Sequence, residues 1–206
     1  MSELTTHRVD ATSISQVRSV VLYRTNIDLI QTISCFQVLR VLDLEGCNLR
    51  RIHQNIDLGY IENLLHLRYL GLRNTYVREL PVEIGKLQFL QTLDLQLTNS
   101  KELSSSVVQL RQLVCLILDS GMSLPKGLCN LTCLEQLMGH DMGFHSEETA
   151  KELGHMSRLR ELSFRLDVGG NDKVSEALIG SIAKLQKLER LEISVNGNWR
   201  DLVHGL

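Results

Sequence analysis

Apolar residues recur along this chain at fixed offsets. One stretch reads Leu64, Leu67, Leu70, Leu72, Thr75, Val77, Leu80-Pro81, Ile84 and Leu87, and from Leu87 the series restarts as Leu90, Leu93, Leu95 and Thr98. The same template runs upstream through Phe36, Leu39, Leu42, Leu44, Cys47, Leu49 and Ile52, and before that through Ile14, Val17, Val20, Leu22, Thr25, Ile27 and Ile30. Downstream it reads Leu110, Leu113, Leu116, Leu118, Gly121, weakens at Leu131, Leu134, Leu137, Gly139, and recovers at Met156, Leu159, Leu162, Phe164 and at Leu185, Leu188, Leu191, Ile193, Asn196. In each unit the tripeptide L-x-L alternates inward and outward residues, which predicts a short strand with one buried face. Short polar residues or Cys after the strand (Thr25, Cys47, Thr75, Thr98, Asn196) suit a turn whose buried backbone needs a partner. The segment Leu80-Pro81-x-x-Ile84-x-x-Leu87 predicts a short helix or 3₁₀ turn.

Eight units result, with inward strand positions at Val20, Leu42, Leu70, Leu93, Leu116, Leu137, Leu162 and Leu191. Their spacing falls in the window of roughly 20–29 residues typical of leucine-rich repeats. No unit can bury its leucines alone, but stacking buries them in one ladder. The predicted fold is therefore an α/β leucine-rich-repeat solenoid spanning 1–206. Its parallel sheet lies on the concave face, with short helices, 3₁₀ turns and loops on the convex face. Eight strands make a sheet of roughly 35–40 Å. The segment Gly139–Glu148 lacks the period and reads as a loop, and Gly169–Lys173 reads as a second turn-rich insert followed by a longer helix, around Val174 to Leu188. No polar capping unit stands at either end, so the chain is expected to be a fragment, or a module whose ends something else covers.

Composition sharpens this picture. Leucine supplies 39 of the 206 residues, while aromatics make up only 4%, so one residue type carries the core. With 22 basic and 24 acidic residues, a net charge of -2 argues against a dedicated nucleic-acid binder. No apolar run approaches the roughly 18 residues of a spanning helix, and no signal core marks the N-terminus. Five cysteines, Cys35, Cys47, Cys115, Cys129 and Cys133, make an odd, sparse set that fits a reducing, cytoplasmic setting. Cys129, Cys133, His140 and His145 invite a zinc reading, but Cys129 and Cys133 flank Leu131 in the repeat template, so packing in or near the core is expected of them instead. Asn130-Leu131-Thr132 matches a glycosylation sequon without a signal peptide to support it. No nucleophile, acid–base pair or metal set converges on a strand end, so neither catalysis nor a cofactor is expected.

The segment from Leu67 through Thr75-Tyr76-Val77-Arg78-Glu79-Leu80-Pro81 to Leu95, together with Val38-Leu39-Arg40-Val41-Leu42-Asp43-Leu44-Glu45-Gly46-Cys47, resembles the repeats of plant nucleotide-binding, leucine-rich-repeat disease resistance proteins of the coiled-coil class, and the second segment looks grass-like. Gln16-Val17-Arg18-Ser19-Val20-Val21-Leu22 resembles the strand where their repeat domain begins. The family's signalling and nucleotide-binding domains are not represented, and no G-x-x-x-x-G-K-[ST] loop occurs; ATP or ADP would belong to that missing switch domain. The resemblance implies a defence role in which the repeats restrain an attached switch domain and sense a pathogen effector or a guarded host protein. A generic intracellular scaffold that binds a signalling partner is the alternative. The fragment itself is expected to be monomeric.

The outward columns supply the candidate surfaces. Arg18, Arg40 and Arg68 align two residues before the inward position, near Tyr23, Arg24, Tyr69 and Arg73. Arg and Tyr are favoured at interface hot spots, so this cluster is a candidate docking face for the switch domain, with Asp43, Glu45 and Asp94 close enough to neutralise it. Val114, Ile117 and Met138, with Cys115, form an apolar patch on a face that should be wet, a candidate ligand or partner contact unless residues 139–152 fold over it.

Overall fold

A computed structural model describes residues 16–24, 33, 36–49, 59–167 and 172–196. Among these residues the chain forms one eight-stranded parallel sheet in sequence order. The strands are β1 (Ser19–Val21), β2 (Val41–Asp43), β3 (Tyr69–Gly71), β4 (Thr92–Asp94), β5 (Cys115–Ile117), β6 (Gln136–Gly143), β7 (Glu161–Asp167) and β8 (Arg190–Asn196). Each contains one of the eight inward positions. The register sets Val20 beside Leu42, Leu42 beside Leu70, and so on through Leu162 beside Leu191.

One hydrogen-bond rule repeats at every junction. The carbonyl two residues before an inward position accepts two N–H groups from the next repeat: Arg18 from Arg40 and Val41, Arg40 from Arg68 and Tyr69, Arg68 from Gln91 and Thr92, Gln91 from Val114 and Cys115. The series continues through Val114 and Glu135 to Arg160, which accepts from Glu189 at 2.8 Å and Arg190 at 2.9 Å. On the other side of the strand the N–H two residues after the inward position donates forward, as Leu44 does to Gly71 and Leu72 to Asp94. These bonds hold consecutive strands in one register, so the leucines form a continuous ladder. Leu42, Leu70, Leu93, Leu116 and Leu137 are completely buried. At the ends Val20 is half-buried and Leu191 is 41% exposed.

The turn after each strand is built as the short polar residues suggest. Thr75 Oγ1 donates to the Leu72 carbonyl at 2.6 Å and Thr98 Oγ1 to Leu95 at 2.9 Å, while the buried Cys47 thiol donates to the Leu22 carbonyl of the preceding repeat. Thr25 lies outside the described residues. The residue just before this position is left-handed in four consecutive repeats: Arg24 (φ 50°), Gly46 (φ 69°), Asn74 (φ 53°) and Leu97 (φ 54°). Left-handed backbone is unfavourable for arginine and leucine. It is retained where the N–H it turns forward gains a partner in the next repeat, as in Arg24 to the Glu45 carbonyl and Asn74 to that of Gln96.

The convex side carries 3₁₀ turns at Gly59–Asn63, Val82–Lys86, Ser105–Gln109 and Leu128–Asn130. Two α-helices then replace them, α1 (Glu147–Leu153) and α2 (Asp172–Ile182), which pack against each other. The structure corrects the loop expected over Gly139–Glu148. Strand β6 runs on to Gly143, and α1 begins at Glu147 with Ser146 capping it through a hydrogen bond from the Thr149 N–H. Between Met138, paired with Ser163, and Gly143, paired with Arg165, the strand bulges. A bulge inserts unpaired residues and so erases the apolar period without ending the strand. The second helix is the longest among the described residues, as its sequence suggests, but ends at Ile182. From there Leu185 and Leu188 make the i→i−3 turns that lead each repeat into its strand. The insert at 168–171 lies outside the described residues.

A central ladder position should be costly to empty. Leu116→Ala removes a fully enclosed side chain and is expected to destabilise the protein by about 2–5 kcal/mol. Urea denaturation checks this, with exposed Val82→Ala as the near-neutral control.

Candidate functional site: the concave sheet face

The register turns four outward positions per repeat into columns. On the rim, two residues before the inward leucine, stand Arg18, Arg40, Arg68, Gln91, Val114, Glu135, Arg160 and Glu189, each joined to the next by the backbone rule above. Arg18, Arg40 and Arg68 are therefore adjacent, one strand spacing of about 4.8 Å apart. All three are exposed, and among the described residues no carboxylate lies within ion-pair distance of them. The same column is neutralised at its other end. There Arg160 contacts both Glu135 and Glu189, while Arg190 lies near Glu161 and Glu192 in the neighbouring columns, and the Gln136 amide donates to Glu161 at 2.9 Å.

The remaining members of the predicted basic cluster are engaged locally. Arg24 lies over the Tyr23 ring, 5.1 Å from its centroid, a cation–π arrangement. Arg73 pairs with Glu45 at 3.7 Å. Tyr69 is half-buried. Its ring fills the space above Gly71, where a Cβ would stand 2.9 Å from the phenolic oxygen and 2.6 Å from Asp43 Oδ1. Burial, followed by the charges of Asp43, Asp94 and Glu45, pushes the Tyr69 phenol above its ordinary range. The cluster thus divides into an open arginine rim and a closed knot of Tyr69, Asp43 and Asp94. Tyr followed two residues later by Gly on one strand face was the available signal for that knot.

The acidic residues work on the backbone. Asp43 Oδ1 accepts the Glu45 N–H at 3.1 Å and Asp94 Oδ1 the Gln96 N–H at 2.9 Å. Asp119 Oδ1 takes the N–H groups of Ser120 and of Leu97 in the preceding repeat. Asp94 is 7% exposed. Burial raises its carboxyl above the ordinary range, opposed by the Gln96 N–H and Arg73 and reinforced by Asp43 and Glu45.

Val114, Ile117 and Met138 are adjacent and half-buried, as is Cys115. Residues 147–153 form α1 against α2 on the convex side, so they do not fold over this patch. Burial, with Asp94 and Glu161, pushes the Cys115 thiol up to about 11. Beyond the patch, a hollow of about 140 Å³ is lined by Gln96, Met138, Ser163, Glu161, Arg190 and Glu192. Of the residues weighed for zinc, Cys129 and Cys133 are half-buried, free thiols and His145 is exposed. The Arg158 guanidinium donates to the Cys133 sulfur at 3.5 Å. The His140 side chain lies outside the described residues. Among those described, no three His, Cys, Asp or Glu side chains come together to hold a metal, and no helix is long and apolar enough to cross a membrane.

The family model of the leucine-rich repeat region matches residues 16–205. The chain belongs to this family. Its curated relatives are plant disease resistance proteins. Disease resistance protein RGA5 of Oryza sativa subsp. japonica is 28% identical over 188 residues, covering 88% of this chain and 16% of that protein. Probable disease resistance protein RF9 of Arabidopsis thaliana is 32% identical over 166 residues, covering 79% and 15%. The chain therefore spans about a sixth of these relatives. Among solved structures, internalin C2 of Listeria monocytogenes superposes with a TM-score of 0.66 at 18% identity over 90% of this chain and 84% of its own. The plant peptide hormone receptor RGFR1, solved with RGF2, gives 0.58 at 21% identity, over 87% and 32%. Both share the leucine-rich-repeat fold of this chain.

Two outcomes follow from the buried acid and thiol. Because the fold favours protonated Asp94, the stability it contributes is lost as pH rises from the ordinary carboxyl range through the raised value. Asp94→Asn keeps the acceptor for Gln96 and should be more stable than the parent at pH 7, with the advantage vanishing below pH 4 in denaturation at both pH values. Alkylation of Cys115 by iodoacetamide, followed by peptide mass spectrometry, should be slow at pH 8 and accelerate as pH approaches 11, because the thiolate is the nucleophile.

Proposed function

We propose that this chain is the partner-reading part of a plant intracellular immune receptor, working in the cytoplasm without catalysis or a cofactor of its own. The observation that carries this reading is the division of the concave face. A rim of exposed arginines lies over repeats one to three, an apolar patch over repeats five and six, and paired charges over repeats seven and eight. Arginine desolvated at the centre of a contact is a frequent hot spot, and an arginine rim without a carboxylate partner loses no ion pair when it docks. In this account Arg18, Arg40 and Arg68 hold a nucleotide-binding switch domain in cis. Val114, Ile117 and Met138, with the hollow beyond them, receive a pathogen effector or a guarded host protein. Binding at the second region shifts the switch only if the partner has different affinities for its closed and open states. The kinship with disease resistance proteins supports the setting, and the open rim supports the docking surface.

Reversing Arg40 and Arg68 together (R40E, R68E) is expected to abolish binding of the repeat chain to a cognate switch domain in isothermal titration, with the melting temperature little changed. Unchanged binding would overturn the reading.

A further inference from the structure

The run that leads into each strand forms a long edge of the solenoid, where the convex side turns into the sheet. In repeats two to five this run has a completely buried leucine, Leu39, Leu67, Leu90 and Leu113 in turn. Around these leucines stand the outward residues 37, 38 and 40, then 65, 66 and 68, then 88, 89 and 91, then 111, 112 and 114. Equivalent positions of neighbouring repeats touch along this edge. The rings of His66 and Phe89 stack with centroids 6.3 Å apart and planes within 17°. Further along the same column the Arg158 guanidinium donates to the Cys133 sulfur.

None of those twelve positions holds a carboxylate, and three hold arginine: Arg40, Arg68 and Arg111. All three are exposed, and among the described residues no carboxylate lies within ion-pair distance of them. The acids on either flank are engaged, Glu62 by Lys86 at 2.6 Å and Glu45 by Arg73 at 3.7 Å. Amid these cations Leu65 is 52% and Phe89 46% exposed. A lone exposed apolar side chain is ordinary, but an aromatic stack with a leucine beside it is a patch. The same positions in repeats six to eight carry Glu135 and Glu189 and no large apolar side chain. The edge of repeats two to five is thus cationic and apolar together.

We propose that this edge docks an acidic polypeptide segment that carries one large apolar side chain among its carboxylates. The carboxylates meet Arg40, Arg68 and Arg111, since guanidinium pairs with carboxylate in a bidentate fork. The apolar side chain covers His66, Phe89 and Leu65. The inference rests on the docking reading of Arg40 and Arg68, and adds the chemistry of the segment they hold. Three strand spacings make about 15 Å, which roughly five extended residues span. A wide anionic surface, such as a bilayer or a nucleic acid, would also meet the rest of a chain whose net charge is -2. A short segment meets only the cations and the apolar patch.

The test titrates the full chain into three fluorescent five-residue peptides at low salt, read by anisotropy. One has glutamates around a central phenylalanine, one has glutamates around alanine, and one has lysines around phenylalanine. The first should bind about tenfold tighter than the second, through burial of its ring, and the third should not bind. Replacing Leu65 and Phe89 together (L65S, F89S) should lower the first peptide to the affinity of the second and leave the second unchanged, which also shows that the variant is folded. The reversal R40E, R68E should lose both acidic peptides, with circular dichroism as the check on its fold. If the alanine peptide binds as tightly as the phenylalanine one while the reversal loses both, the apolar anchor is overturned and the arginine docking reading stands. If neither acidic peptide binds the parent, or the reversal binds them undiminished, both are overturned. Phosphatidylserine vesicles that pellet the parent would also overturn the proposal, because the occupant would then be a lipid surface.

Discussion

The structure depends on one carbonyl per repeat. Two residues before each inward leucine, that oxygen accepts a pair of N–H groups from the following strand, and this pins the register. A slip of one residue would turn every leucine out of the core. No repeat has a core of its own, so the apolar ladder exists only when the carbonyls align the strands. Burial of a leucine contributes roughly 1.5–3 kcal/mol, and it is realised only through its neighbours. Stability is therefore distributed along the stack and, among the described residues, weakest toward the outer strands, where Val20 is half-buried and Leu191 41% exposed.

The same register creates the surface. Side chains on the concave face are arranged by repeat number and template position, so a partner meets columns instead of a pocket. The columns differ in kind. The arginine rim of the first three repeats is open, whereas the last three repeats satisfy their charges internally. Between them the face is apolar, with the Cys115 thiol pushed above its ordinary range by burial and two carboxylates. Asp43, Asp94 and Asp119 lie on this face too, but their oxygens hold the backbone of the turns. A negative charge on the concave side is thus not automatically available to a ligand.

Much of this was legible from leucine spacing, because burial on one side of a short strand forces a strict alternation. The columns were legible for the same reason. Three features were not. The left-handed backbone at Arg24, Asn74 and Leu97 is imposed by the turn's hydrogen bonds and overrides residue preference. The bulge after Met138 removes periodicity while keeping the strand, so an aperiodic stretch looked like a loop. The division of the basic cluster depends on side-chain reach: Arg73 meets Glu45, and the Tyr69 ring settles over Gly71. Arg18, Arg40 and Arg68 stay open because the rim positions beside them carry more arginine.

Native-state hydrogen exchange tests the dependence on the carbonyl ladder most directly. If that ladder holds the stack together, the amides of Arg68, Gln91, Val114 and Glu135 should exchange with one common free energy equal to that of global unfolding. Those of Arg40 and Glu189, at the first and last junctions of the described sheet, should exchange faster through local opening. Independent exchange of neighbouring central repeats, each at its own lower free energy, would contradict the account.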